Sequence, residues 1–150
     1  MKNIGFIGVG TMGFPMALNL IKNGHSLSFY DPFANNKTID ALIEAGAKQE
    51  KTIADLCKSK DFLISMLPIG ENVKEVALGE GGIINQDNTD LIYIDMSTIL
   101  PGDSIDVSKQ LQTKNIQMFD APVARLVNNA IDGTLLIMVG GSLQDFPKIE

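Results

Sequence analysis

The sequence predicts an α/β fold: a doubly wound, mostly parallel sheet with helices on both faces. Three observations carry this expectation. A glycine-rich turn, Gly8-Val9-Gly10-Thr11-Met12-Gly13, joins the apolar run Ile4-Gly5-Phe6-Ile7 to a helical pattern. Apolar runs then alternate with helical segments in the order βαβαβαβαβ, as parallel strands joined by crossover helices require. Within that order, Phe62-Leu63-Ile64-Ser65-Met66-Leu67 is almost continuously apolar, the pattern of a strand buried on both faces.

The elements follow in order. After the first strand, Met12, Met16 and Leu20, with Ala17 and Ile21, recur at helical spacing, and Asn23-Gly24 supplies a stop. Pro15 falls in the first turn, where a missing amide costs little. A second strand spans residues 26–30, a loop covers 32–36, and a short helix over 37–45 is capped by Gly46. A brief strand at 47–49 and a short helix at 52–58 lead to the apolar strand at 62–67, which Pro68 ends. A helix at 71–78, the stretch Gly79-Glu80-Gly81-Gly82 and a buried strand at 91–95 come next. A helix at 101–113, a strand at 116–120, an irregular stretch over 121–133, a strand at 135–139 and a helix opening near Ser142 complete the chain. No repeat, low-complexity segment or linker interrupts this single expected domain.

Composition narrows the function. The 150 residues, 45% hydrophobic and 20% charged, suit one soluble domain with a sizeable core. A net charge of -6 argues against nucleic acid or an anionic membrane surface as partner. No apolar run approaches the roughly 20 residues of a membrane span. Met1-Lys2-Asn3 runs straight into the first strand, leaving no room for a targeting peptide, so a cytoplasmic location is the expectation. Cys57 is the only cysteine, which excludes an internal disulfide and a cysteine-built metal site, and no metal is expected.

The glycine turn has its own chemistry. Gly8 permits the tight turn out of the strand, Gly10 lets a pyrophosphate approach the backbone, and Gly13 lets the helix pack closely on the strand. Amides at the helix start, aided by the helix dipole, would face the phosphates, with Thr11 and Met12 on that same turn. Asp31 follows Gly13 by eighteen residues, close to the roughly 20 expected of the acid that binds the adenosine ribose hydroxyls. Its carboxylate would repel a 2′-phosphate and no arginine lies near it, so the cofactor reads as NAD rather than NADP. The alternative is a glycine turn in another α/β protein, with Asp31 a loop acid or helix cap. His25 is the only histidine, but it sits between the first helix and the second strand, at the sheet end where ligands do not bind, so no catalytic role is assigned to it.

Several stretches together resemble the β-hydroxyacid dehydrogenases, the family that includes 3-hydroxyisobutyrate dehydrogenase and tartronate semialdehyde reductase. They are Gly5 through Gly13, Ser65-Met66-Leu67-Pro68, Asp95-Met96-Ser97-Thr98-Ile99-Leu100-Pro101, Asp120-Ala121-Pro122-Val123, and Ala130-Ile131-Asp132-Gly133-Thr134-Leu135 with Met138-Val139-Gly140-Gly141. The resemblance implies a Rossmann domain that binds NAD, with Met66, Leu67 and Pro68 meeting the cofactor through backbone groups and Val73 touching the adenine. It assigns Ser97 to the substrate and Thr98 to the cofactor, although by position alone either could cap the helix opening at Pro101. Pro122, Val123 and Arg125 fall in the substrate loop.

That loop departs from the family. Most members carry Ser-Gly-Gly after the Pro-Val pair, where this sequence has Ala124, Arg125 and Leu126. A guanidinium there can grip a carboxylate, sulfonate or phosphate bidentately. The Pro-Val-x-Arg arrangement is similar to that of sulfolactaldehyde reductases in the same family, except that Leu126 stands where a small hydroxyl residue is expected. The alternative is a surface arginine paired with Asp132 or a neighbour. The resemblance therefore implies hydride transfer between NAD(H) and a short anionic 3-hydroxy acid or its semialdehyde. The family's proton donor is a lysine on a helix beyond the nucleotide-binding domain, and Lys109, Lys114 and Lys148 lie outside any matching motif. Its helical second domain, which closes over the substrate and builds a homo-oligomer, has no counterpart in these residues, and the sequence stops within an uncapped helical pattern. The chain thus reads as the amino-terminal domain of such an enzyme, inactive alone. A free-standing NAD-binding regulatory or interaction module is the rival, whereas a methyltransferase would leave the Met-Leu-Pro and Asp-x-Ser-Thr stretches without a role.

Overall fold

The computed structural model describes residues 1–87 and 90–150. Its elements run β1 (Asn3–Ile7), α1 (Gly13–Lys22), β2 (Ser26–Tyr30), α2 (Asn36–Glu44), β3 (Lys48–Gln49), α3 (Ile53–Cys57), β4 (Phe62–Ser65), α4 (Gly70–Leu78), β5 (Ile92–Asp95), α5 (Pro101–Gln112) and β6 (Gln117–Asp120). These strands form one six-stranded sheet in the order β3-β2-β1-β4-β5-β6, with every pairing parallel. The chain winds outward from β1 to β3 and then returns to build β4 on the other side of β1. That reversal opens a crevice beyond the carboxyl ends of β1 and β4. Register aligns those ends: Ile7 pairs with Tyr30 and Ser65, and Asp95 pairs with Ser65 and Asp120.

Two apolar layers hold the sheet. Phe6, Phe29, Leu27 and Leu42 pack with Ala17 of α1 on one face. Leu63, Leu91 and Tyr93 pack with Val107 and Leu111 of α5 on the other, together with Cys57, whose thiol burial pushes up to about 12. Local chemistry sets the helix starts. The Asn35 side chain accepts from the Thr38 amide to cap α2, and Thr52, expected inside the next helix, instead caps α3 by accepting from the Asp55 amide. α5 opens on Leu100 and Pro101 without a side-chain cap, so neither Ser97 nor Thr98 serves there.

The expectations fail mainly after residue 120. The stretch read as irregular contains β7 (Val123–Ala124) and α6 (Val127–Asp132), which Gly133 ends at φ 69. The strand expected at 135–139 shrinks to β8 (Leu136–Ile137), which pairs antiparallel with β7 and stays off the main sheet. The helix expected near Ser142 is a single 3-10 turn, Phe146–Lys148. Pro147 explains this, because it donates no amide and disfavours helical geometry in the residue before it. β4 also stops at Ser65, two residues early: after the Met66 amide donates to Ile7 at 2.9 Å, the chain leaves the sheet.

The three turn glycines differ in what surrounds them. Gly8 has φ +86, and a side chain there would meet the Met66 carbonyl. A Cβ on Gly13 would collide with the Gly8 carbonyl oxygen, whereas one on Gly10 would meet nothing within 4 Å. Gly13→Ala should therefore lower unfolding stability by about 2–3 kcal/mol, and Gly10→Ala should leave it within about 0.5 kcal/mol. Urea denaturation of the two variants checks this; equal losses would remove the distinction.

Candidate functional site

A cleft of about 740 Å³ opens at the reversal between β1 and β4. It is walled by Gly8, Gly10 and Thr11 of the glycine turn, Asp31 at the end of β2, and Met66, Leu67 and Pro68 after β4. Residues from three separate stretches of sequence thus meet in one place. The N-terminus of α1 has no side-chain cap, but the Phe14 amide donates to the Gly10 carbonyl at 2.9 Å and Pro15 has no amide, so the amides left for an anionic group are those of the turn that leads into the helix.

Asp31 organises the adjoining wall. Its Oδ2 accepts from the Val9 amide at 2.9 Å and its Oδ1 from the Phe33 amide at 2.9 Å. A carboxylate has about four lone-pair sites, so acceptor capacity remains on the side that lines the cleft.

Other expected residues stand behind this surface. Met12 packs against the core, and Gly13 is buried at the head of α1. Val73 is fully buried among core residues, so its side chain is closed off from an adenine. Asn72, Glu75, Val76 and Glu80 line the cleft instead. Helical spacing carries that distinction, since Val73 and Ala77 share the buried face of α4 and residues 72, 75 and 76 share the other. Phe14, Pro32, Phe33, Asn35 and Thr38 also line the cleft without having been singled out. For Phe33 the missed signal was a large aromatic in the loop directly after the acid.

Ser97, expected to meet substrate, is fully buried. Its hydroxyl donates to Asp95 Oδ1 at 2.6 Å and accepts from the Leu67 amide at 2.9 Å. Asp95 Oδ1 also accepts from Ser65 Oγ at 2.7 Å and from the Ser97 amide at 3.2 Å. Because Ser65 gives its one hydrogen to Asp95, the Tyr93 hydroxyl, 2.7 Å away, donates to Ser65. Burial holds that phenol well above its usual range, and the charge of Asp95 adds to this. One carboxylate oxygen thus gathers the ends of β4 and β5 and, through Ser97, fixes the Leu67 amide of the cleft wall.

Thr98 is exposed beyond β5. Pro122, Val123 and Arg125 follow β6 on the same side of the sheet but do not line the cleft. Arg125 is exposed, and its Nη1 donates to the Thr134 carbonyl at 2.9 Å, so its partner is backbone rather than Asp132. Its φ is 88, the left-handed region that favours glycine. Asp120 opens this loop. Burial pushes its carboxyl above the usual range, a hydrogen bond from Ser104 opposes that, and the charge of Asp95 reinforces it.

The family model described as the NAD binding domain of 6-phosphogluconate dehydrogenase matches residues 3–150. The chain belongs to that family. The cleft lies at the switch point of strand order, where ligands bind in open α/β sheets. Among relatives, the chain is 41% identical over 148 residues to 3-sulfolactaldehyde reductase of Escherichia coli and 36% identical over 148 residues to 3-hydroxyisobutyrate dehydrogenase of Pseudomonas aeruginosa. Each alignment covers 99% of this chain and 49% of the relative, so the chain spans about half their length. The structure of Mycobacterium tuberculosis 3-hydroxyisobutyrate dehydrogenase with L-serine superposes with a TM-score of 0.89 at 29% identity, covering 99% of this chain and 49% of that one. Among the described residues of this NAD-binding domain, no helix is long and apolar enough to cross a membrane.

Removing the Ser97 hydroxyl strands the Leu67 amide and takes one of three donors from Asp95. Ser97→Ala should cost about 1–3 kcal/mol, read by urea denaturation. An unchanged midpoint would show that water replaces the hydroxyl.

Proposed function

We propose that this NAD-binding domain is half of an oxidoreductase that moves hydride between NAD(H) and a short 3-hydroxy acid or its semialdehyde, of the 3-hydroxyisobutyrate, tartronate semialdehyde or sulfolactaldehyde class. The observation that carries this is the meeting of Gly8, Gly10, Asp31 and Met66 to Pro68 in one cleft, with the Pro122-Val123-Ala124-Arg125 loop following β6 at the same end of the sheet. The nicotinamide supplies the hydride; the protein binds and orients it and keeps the substrate beside it. Among the described residues lining the cleft there is no lysine or histidine, and the proton donor is assigned to the lysine that the family resemblance places on a later helix. The chain alone binds cofactor without turning over substrate, and the complete enzyme is a cytoplasmic homo-oligomer.

NAD is preferred over NADP. Among the described residues, the cleft is lined by the carboxylates of Asp31, Glu75 and Glu80 and by no lysine, arginine or histidine, so a 2′-phosphate would meet repulsion without a cation to offset it. Thr98 serves the cofactor side, while Ser97 acts through Leu67 as a positioning residue. Pro122 and Val123 shape the substrate loop.

Arg125 holds the anionic end of the substrate. It keeps a backbone conformation suited to glycine while presenting a guanidinium, and strain of about 1–3 kcal/mol persists chiefly where a site uses it. Only Nη1 is engaged with Thr134, which leaves donors of the planar fork for a carboxylate or sulfonate. The close relation to 3-sulfolactaldehyde reductase favours sulfonate.

Calorimetric titration of the chain should give NADH binding well above NADPH binding, with no turnover of short semialdehydes; steady turnover would overturn the half-enzyme reading. Asp31→Asn, which keeps an acceptor for Val9, should shift the NADH-to-NADPH preference toward NADPH by about tenfold or more, and equal losses for both nucleotides would remove the assignment. In the full-length enzyme, Arg125→Gly should raise KM for an anionic substrate about tenfold or more while leaving NADH affinity and thermal stability intact. A fall in Tm alone would make Arg125 structural.

A further inference from the structure

Asn129, in the first turn of α6, makes hydrogen bonds on both sides of the segment that carries Arg125. Its Oδ1 accepts from the Leu126 amide, the peptide directly after Arg125, at 3.3 Å. Its Nδ2 donates to Thr134 Oγ1 at 3.0 Å, and its backbone carbonyl accepts from the Thr134 amide at 2.8 Å. Thr134 in turn offers its carbonyl to Arg125 Nη1 at 2.9 Å. The backbone exit of Arg125 and the acceptor that steers its guanidinium are therefore held by the same residue. Leu126 precedes α6 without a polar group to cap it, so Asn129 supplies only the returning half of a capping box. The frame is fixed in turn on α1, where Asn19 Nδ2 donates to the carbonyls of Ala130 at 2.6 Å and Ile131 at 3.3 Å.

We propose that Asn129 is the positioning residue for Arg125, holding the following peptide and the Thr134 acceptor so that the guanidinium is set before an anionic substrate arrives. The inference rests on the reading of Arg125 as the grip on the substrate's anionic end and names what keeps that grip in place. Arg125 has φ 88, a conformation that a non-glycine residue keeps only where its surroundings impose it. The bond from the Leu126 amide to Asn129 is such a restraint, applied one peptide away. A long arginine side chain loses rotamer freedom when it binds an anion, and an acceptor already fixed by two bonds to Asn129 removes part of that loss in advance. Asn129 thus acts through Arg125.

The test uses the full-length enzyme with two aldehydes, sulfolactaldehyde and glyceraldehyde, in which a hydroxyl replaces the sulfonate. KM, NADH affinity and Tm are measured for the wild type, Asn129→Ala, Asn129→Gln, Arg125→Gly and the double variant Arg125→Gly/Asn129→Ala. Asn129→Ala should raise KM for sulfolactaldehyde about fivefold and leave KM for glyceraldehyde and NADH affinity unchanged. Asn129→Gln, whose amide can reach back to the Leu126 amide as in a capping box, should recover most of the loss. Added to Arg125→Gly, Asn129→Ala should change KM no further, because its effect passes through the guanidinium. Thr134→Val, which removes only the hydroxyl that Asn129 meets, should give a smaller rise confined to sulfolactaldehyde, and no rise there would overturn the role even where Asn129→Ala fails to fold. Additive effects of the two substitutions, or equal rises in KM for both aldehydes, would overturn the positioning while the reading of Arg125 stands. An unchanged KM for sulfolactaldehyde in Arg125→Gly would overturn both.

Discussion

The nucleotide end of this domain depends on one carboxylate. Asp31 accepts from the amide of Val9 in the glycine turn and from the amide of Phe33 in the next loop, and so ties together two backbone segments more than twenty residues apart. Hydrogen bonds to an ionised acceptor are among the stronger ones, worth about 1.5–3 kcal/mol each. The glycine turn and the backbone of Phe33 are both anchored on that residue, which shares the negative character of the cleft with Glu75 and Glu80. The aspartate that the sequence marks as a ribose acid is also the brace of the site it serves.

A second carboxylate, Asp95, does comparable work out of reach of solvent. Its Oδ1 collects three donors, while Oδ2 is buried without a hydrogen-bond partner among the described residues. A buried charge is costly unless satisfied, and the concentration of hydroxyls and an amide on one oxygen is the compensation. The arrangement links β4 to β5 and delivers a fixed Leu67 amide to the cleft wall. It also accounts for an Asp-x-Ser pair at a strand end without needing Ser97 to face a substrate.

The two chemical ends of the domain are built differently. Around the cleft at the reversal point, the carboxylates of Asp31, Glu75 and Glu80 face the glycine turn and the uncapped start of α1, so negative charge and a helix N-terminus share one opening. At the β6 end, the chain carries a guanidinium on a backbone conformation that glycine would hold more easily. Its bond to Thr134 joins the loop to the segment after α6, so the arginine is placed by the same hairpin that keeps β8 off the main sheet.

Much of this was legible in the sequence. Continuous apolar runs mark the strands of a sheet covered on both faces, and the glycine turn followed by Asp31 marks the first crossover, because strand burial and backbone steric limits are local properties of residue type and spacing. What tertiary structure alone decided concerns facing and partnership. Val73 and Val76 read alike in sequence, but packing of α4 on the sheet buries the first and turns the second to the cleft. Ser97 looked like an open hydroxyl until Asp95 and Leu67 consumed it. Helix α6 was hidden because its six residues are too few to show a period. Composition and spacing therefore determined the fold class and the cofactor. Which side chains line the cleft was decided by long-range contacts, which place residues by packing and hydrogen-bond demand rather than by position in the chain.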